Sequence, residues 1–301
     1  MKKLAFALAL LLAITGLSAL AENTVYVENE WDFVDGSMDV SGGIPENAAG
    51  ALGRIRDSGV LRVATEPYFP PQEFIDPRNP GQDAYAGSDM EMARLIAQRM
   101  GVTLQIVPME FSEVLDAVSE GNCDLAISAL SYPPERAGKV TMSKGYYYSG
   151  ESAGSGLMIR AADAGTIRGV EDLENRDIVA QSGSLQEAQM VENVAFYRQF
   201  RRASSIKGVY EAVRTGQADA AAVSLEAAQT YIQNNPDCGL ALVEGVIFAP
   251  EPQFDGDRVA ARKGELALIY FVNGVIDELL ASGQYEQWYA EAEATAAELG
   301  L

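Results

Sequence analysis

The sequence predicts an α/β protein built as two doubly wound α/β lobes joined by a two-strand hinge. Three observations carry this. Strand-like and helix-like stretches alternate from residue 51 onward; the alternation runs twice, on either side of a Tyr/Ser/Gly-rich segment at 145–156; and a strand with two helices trails after residue 256. Alternating βαβ units build a mostly parallel sheet with helices on both faces. A chain that leaves one unit, builds a second and returns must cross twice, which makes the hinge. The expected organisation is a signal peptide at 1–21, an acidic N-terminal arm at 22–50, a first lobe from 51–150 with 256–301, and a second lobe from 151–255.

The opening residues have the pattern of an export signal. Lys2 and Lys3 precede an apolar run over 4–17, and Ala19-Leu20-Ala21 supplies a small-x-small cleavage pattern, so cleavage is expected after Ala21. The run is shorter than the ~20 residues needed to span a bilayer. No Cys lies near that point, so no lipid anchor on a mature N-terminal Cys is expected, and the mature protein is expected in the periplasm or secreted. Residues 22–50 are acidic and interrupted by Gly and Ser, with Trp31 and Phe33 as bulky anchors, and read as a flexible or loosely docked arm.

The first lobe is expected to begin with a short helix at 51–56 and a strand at 60–65. Ser88-Asp89-Met90-Glu91 has capping-box spacing and predicts a helix to Met100, stopped by Gly101. A strand at 102–107, a helix at 111–120 closed by Gly121, and a strand at 124–129 follow. In the second lobe, strands are expected at 155–160 and 177–181. A second capping box, Ser184-Leu185-Gln186-Glu187, opens a helix to about 197. A strand at 200–203, a helix at 206–215 and a strand at 219–223 lead to a helix beginning near Ser224. The trailing segment is a strand at 258–263 and helices at 265–281 and 284–299, with Trp288 and Tyr289 anchoring the last to a core.

Composition narrows function. Lys+Arg number 22 against Asp+Glu 43, a net charge of −21 that becomes −23 once Lys2 and Lys3 leave with the signal peptide. So acidic a surface repels nucleic acid and anionic lipid. The chain contains no His, which removes Ser-His-Asp triads, Cys-His pairs and most zinc chemistry; no metal and no cofactor are expected. Cys123 and Cys238 lie in an oxidising compartment where they could pair. Cys123 leads into a buried strand and Cys238 sits in a loop, which favours two unpaired thiols.

The run of signposts across 50–290 resembles family 3 of the bacterial extracellular solute-binding proteins, which serve ABC importers of polar amino acids. They are Leu61-Arg62-Val63-Ala64-Thr65, Pro70-Pro71-Gln72-Glu73-Phe74, Gly87-Ser88-Asp89-Met90-Glu91, Gly121-Asn122-Cys123-Asp124, Ser131-Tyr132-Pro133-Pro134-Glu135-Arg136 and Gly283-Gln284-Tyr285. No one of them is specific; their order and spacing together are. The resemblance implies a type II periplasmic-binding-protein fold, a cleft between the lobes for a small carboxylate or amino acid, a monomer, an ABC transporter permease as partner, and no catalysis.

It also implies roles. Arg136 forks onto the ligand carboxylate, which suits a planar, permanently charged guanidinium; read alone it is a surface Arg after a Pro-Pro turn. Ser131 adds a hydroxyl bond, and Ala129 turns its carbonyl toward the ligand ammonium. Phe69 and Phe111 flank the ligand, worth roughly 0.5–2 kcal/mol against a cation; Phe111 is equally placed for core packing. Glu66 lies close to Phe69 and can meet a donor on the ligand's distal end. In the second lobe Gly183-Ser184-Leu185 presents helix N-terminal amides to the carboxylate, while Ser184 is also a good N-cap. Gln181 at the neighbouring strand end supplies an amide.

One position departs from the family. The run Asp219-Ala220-Ala221-Ala222-Val223-Ser224 ends in Ser where amino-acid binders place an Asp for the ligand ammonium. A charge-assisted bond of roughly 1.5–3 kcal/mol is thereby missing. Either Glu226 compensates from the first helical turn or the ligand lacks an α-ammonium; read alone, Ser224 is a plain N-cap and Glu226 a solvated acid. The alternative function is an exported cyclohexadienyl dehydratase, acting on prephenate or arogenate, on the same fold. It needs a general acid kept protonated by burial, for which Glu66 and Glu226 are the candidates.

Overall fold

The computed structural model describes residues 34–132, 136, 138–150, 154–249 and 255–301. The expected signal peptide, its cleavage point, and the arm's Trp31 and Phe33 lie outside them.

The first lobe runs through α1 (Gly50–Ser58), β1 (Val60–Thr65), β2 (Tyr68–Phe69), β3 (Glu73–Ile75), β4 (Tyr85–Ala86), α2 (Ser88–Met100), β5 (Thr103–Pro108), α3 (Phe111–Ser119), β6 (Leu125–Leu130) and β7 (Val140–Met142). The second holds β8 (Ser155–Arg160), β9 (Asp177–Gln181), α4 (Leu185–Asn193), β10 (Gln199–Ala203), α5 (Ile206–Arg214), β11 (Ala220–Ser224), α6 (Leu225–Asn234) and β12 (Leu240–Leu242). The chain then returns as β13 (Arg258–Arg262), α7 (Leu266–Ser282) and α8 (Gln284–Leu299).

Each lobe has one five-stranded sheet, in the orders β5-β1-β6-β13-β7 and β10-β9-β11-β8-β12. In both, three parallel strands are followed by an antiparallel one, β13 or β8, which is the strand that has just crossed from the other lobe. The crossing segments pair with each other: Tyr147 bridges Asp257 and Ser155 bridges Phe248. This is the two-strand hinge. A small sheet, β2-β3-β4, hangs from the first lobe; its short strands were not legible in the sequence.

Successive strand residues face opposite sides of a sheet, and the buried residues divide accordingly. Leu61, Val63, Leu125 and Ile127 pack toward α1, α2 and α7, whereas Ala64, Ala126 and Leu130 pack toward α3. In the second lobe Leu157, Ile178 and Ala220 share one core, and Met158, Val179 and Ala221 the other. Trp288 and Tyr289 pack against the first-lobe core, as expected.

The lobes repeat one electrostatic device. Gly121-Asn122-Cys123-Asp124 and Gly216-Gln217-Ala218-Asp219 both place an Asp just before an inner strand. Asp124 accepts the Arg62 backbone N–H at 2.9 Å and holds the Arg62 guanidinium at 2.9 and 3.1 Å. Asp219 accepts the Asp177 N–H at 2.9 Å and the Arg160 guanidinium at 3.2 Å. Each carboxylate thereby locks its strand against a neighbour, a charge-assisted bond being stronger than a neutral one.

Three expectations are corrected. Residues 34–49 are not loosely docked: Val34 and Val40 are buried, and the buried Asn273 of α7 donates to the carbonyls of Val34 and Gly36. Ser88 does not cap α2. Gly87 holds the cap position at φ +117°, where a Cβ would sit 2.1 Å from the Gln72 carbonyl oxygen, and the Ser88 hydroxyl instead donates to Tyr285 at 3.0 Å. Finally, the helix from Ser184 ends at Asn193, not near 197. The two thiols are free, Cys123 buried and Cys238 half-buried.

Candidate functional site

The carboxyl ends of β1, β6, β9 and β11 meet between the lobes, where open α/β sheets bind ligands. Two neighbouring voids of 40 and 90 Å³ lie there, both walled by Phe69, Ala129, Ser131, Leu185 and Gln186. The smaller adds Glu66, Phe111, Ser128 and Arg136; the larger adds Ser155, Ser224, Glu226, Asp255 and Asp257. A mostly apolar void of 270 Å³ beside them shares Phe69 but is walled chiefly by residues such as Tyr68, Ile206, Tyr210 and Tyr231, so it offers a polar solute few partners.

Arg136 is 7% exposed. Its Nη1 donates to the Ser131 carbonyl at 2.7 Å, its Nη2 to the Gly183 carbonyl at 3.1 Å, and its guanidinium lies 5.5 Å from the Phe111 ring centre. Serine 184 does cap α4: its Oγ accepts the Glu187 N–H at 3.0 Å, while Glu187 accepts the Gly183 N–H at 2.7 Å. The Ser184 side chain does not line either void. Leu185 and Gln186, the first two helical residues, do, and N–H groups of a first turn have no partner within their helix.

Ala129 stands near the end of β6 with φ +44°, and its N–H donates to Asp89 Oδ2 at 2.9 Å. A non-Gly residue in the left-handed region needs such support. Asp89 also accepts the hydroxyls of Tyr146 at 2.8 Å and Tyr285 at 2.7 Å. Beside it, burial and the Asp89 charge push the Glu73 carboxyl well above the ordinary range. Ser128 donates to Glu73 at 3.0 Å and accepts the Glu66 N–H at 3.0 Å, so the floor of the cleft rests on a chain of buried acids.

Glu66 is 2% exposed, and burial pushes its carboxyl up to about 7 against the opposing pull of Gln181 and the Tyr68 N–H. Its Oε1 and the Gln181 Nε2 are both buried and pull on each other without closing a well-formed hydrogen bond, and neither has another partner among the described residues. Gln181 faces Glu66 but lines neither void. Ser224 is an N-cap, its Oγ accepting the Ala227 N–H at 3.4 Å. Glu226 is not merely solvated: Tyr147 and Tyr289 both donate to it. Sequence reasoning missed Gln186, Ser155, Tyr147, Tyr289 and Asp257. The Tyr/Ser/Gly-rich segment 145–156 hinted at Tyr147 and Ser155, and Tyr289 was expected only as a core anchor, because tertiary topology is what brings these side chains to the site.

The sequence profile of the bacterial extracellular solute-binding proteins, family 3, matches residues 61–292. The chain belongs to this family. It is a solute-binding protein of the two-lobed type. Among relatives, the arginine-binding extracellular protein ArtP of Bacillus subtilis is 26% identical over 208 residues, 68% of this chain and 76% of ArtP. The fold of an amino acid ABC transporter substrate-binding protein from Streptococcus pneumoniae bound to L-arginine matches with a TM-score of 0.72 at 27% identity, covering 82% of this chain and 98% of that one. The P235GK mutant of ArgBP from T. maritima gives 0.71 at 26% identity, covering 81% and 100%. The cyclohexadienyl dehydratase of Pseudomonas aeruginosa is 32% identical over 101 residues, 34% of this chain and 36% of the enzyme.

Proposed function

We propose that this protein is an exported, monomeric receptor of an ABC importer that closes its lobes on an L-amino acid with a cationic side chain and presents it to the permease. The observation that carries this is one cavity between the lobes lined by Arg136 and Glu66 together with Phe69 and Phe111. Arg136 receives the ligand carboxylate with the Leu185 and Gln186 amides and Ser131. Glu66, whose buried Oε1 makes no well-formed hydrogen bond among the described residues, receives the distal cation between the two rings. The relatives described as arginine-binding support this ligand class. Export follows from the 1–21 pattern, with cleavage after Ala21. A ligand that touches both lobes favours the closed form because only differential affinity shifts a population.

The test is a thermal-shift and calorimetric panel of the twenty L-amino acids with L-ornithine, dicarboxylates and amines on the mature protein. A ligand at 100 times its dissociation constant adds ~2.7 kcal/mol. L-Arginine, L-lysine or L-ornithine is expected to give the largest shift; a panel in which no cationic amino acid binds overturns the reading.

Glu66 also supports a second reading, the dehydratase, since a buried carboxyl near 7 is suited to general acid catalysis. Incubation with prephenate and arogenate decides it by product absorbance. Turnover abolished by Glu66→Gln establishes the enzyme, and no turnover removes it.

A further inference from the structure

The 90 Å³ void carries Glu226, Asp255 and Asp257 and, among the described residues, no Lys or Arg in its lining. Such a wall suits a cation. Burial and neighbouring carboxylates push Asp257 well above the ordinary range, toward its neutral form, and Asp255 Oδ1 accepts the Gly256 N–H at 2.8 Å. Glu226 is held differently. Tyr147 from the hinge donates to its Oε1 at 2.5 Å, and Tyr289 from α8 donates to the same oxygen at 2.9 Å. The two rings stack with centres 4.7 Å apart. With both phenols on one oxygen, Oε2 is left to accept from the void.

A second observation marks this void as a ligand site. Ser155 is fully buried, lines it, and its Oγ has no hydrogen-bond partner among the described residues. Strand register places Ser155 directly across from Ser224, the residue at which the family's ammonium-binding Asp is absent. A buried hydroxyl without a partner costs free energy, which a ligand N–H recovers.

We propose that Glu226 Oε2 and Ser155 Oγ are the acceptors for the ligand's α-ammonium, a carboxylate displaced two residues along the chain doing the work of the missing Asp. The proposal deepens the amino-acid reading above and rests on it. Because Glu226 belongs to the second lobe and its phenol donors to the hinge and the first, the ammonium site is completed only when the lobes close. Tyr147 and Tyr289 are positioning residues, acting through Glu226.

The test uses the mature protein, the tightest-binding L-amino acid of the panel, and its deaminated analogue (for L-arginine, 5-guanidinopentanoate). Glu226→Gln is expected to weaken the amino acid about 10- to 100-fold and the deaminated analogue less than about threefold. Adding Ser224→Asp to Glu226→Gln is expected to recover most of that loss. Should Glu226→Gln fail to fold, Ser155→Ala decides the matter: a several-fold loss confined to the amino acid supports the site. Equal losses for both ligands, or none for either, overturn it. A wild-type protein that binds the amino acid no more tightly than its deaminated analogue overturns this inference alone. One that binds no amino acid overturns both readings.

Discussion

Arg136 of the first lobe donates through Nη2 to the Gly183 carbonyl of the second, at 3.1 Å. The contact spans the cleft, and the same guanidinium is fixed on its own side by the Ser131 carbonyl at 2.7 Å. A permanent cation is thus presented at the seam between the two lobes.

Replacing that cation should be costly for binding. Arg136→Ala is expected to weaken the amino acid ligand by about 2–5 kcal/mol, because it leaves a buried carboxylate without its partner. Arg136→Lys should recover only part of this, since an ammonium cannot fork. Calorimetry with the wild-type ligand checks both, and an unchanged dissociation constant for Arg136→Ala removes Arg136 from the site.

Glu66 makes ligand affinity and stability depend on pH in opposite directions. In the free protein its carboxyl sits at about 7, above the 4.5 of an unperturbed Glu. The native state therefore holds a proton the unfolded chain has released, and this contribution, full below 4.5, is lost as pH rises through about 7. Glu66→Gln should be more stable than wild type at pH 8, by up to about 3 kcal/mol, and equal to it near pH 4. A cationic ligand favours the ionised form, so its affinity should rise with pH up to about 7 in the wild type. The slope should vanish in Glu66→Gln. Denaturant melts and calorimetry across that range measure the two effects.

Asp89 accepts the Ala129 N–H, the Tyr146 hydroxyl and the Tyr285 hydroxyl. Asp89→Ala strands these donors in the core and should cost about 3–5 kcal/mol of stability. Glu73→Gln should be far milder at neutral pH, because an amide is neutral beside Asp89 as the protonated acid is and keeps an acceptor for Ser128. Urea midpoints for the two variants check the contrast.

The arm should stabilise the first lobe without touching the ligand. Asn273→Ala leaves the Val34 and Gly36 carbonyls and the Lys144 N–H without their partner. It should lower stability by about 2–4 kcal/mol while leaving the ligand's dissociation constant within about twofold. Thermal melts with and without ligand separate the two effects.

Much of the fold was legible because it is local. The alternation at 60–65, the Gly101 stop and the Ser184 cap each follow from a few adjacent residues. Ser88 shows the limit of such reading. Its spacing to Glu91 is that of a capping box, yet Tyr285, distant in sequence, takes its hydroxyl. The arm departs from its composition for the same reason: few large apolar residues suggest loose docking, but a fully buried Asn273 supplies polar anchors that composition does not reveal.

The residues by themselves determined the two α/β units, the double crossing and the exclusion of His-dependent chemistry, since these depend on short-range periodicity and on which side chains exist. Tertiary structure alone decided that Glu226 is clasped by two tyrosines from outside its own lobe, that Ser155 stands buried beside Ser224, and that Glu66 lies buried enough to titrate near 7. Those facts depend on distances and desolvation between segments far apart in the chain, which exist only once the lobes have met.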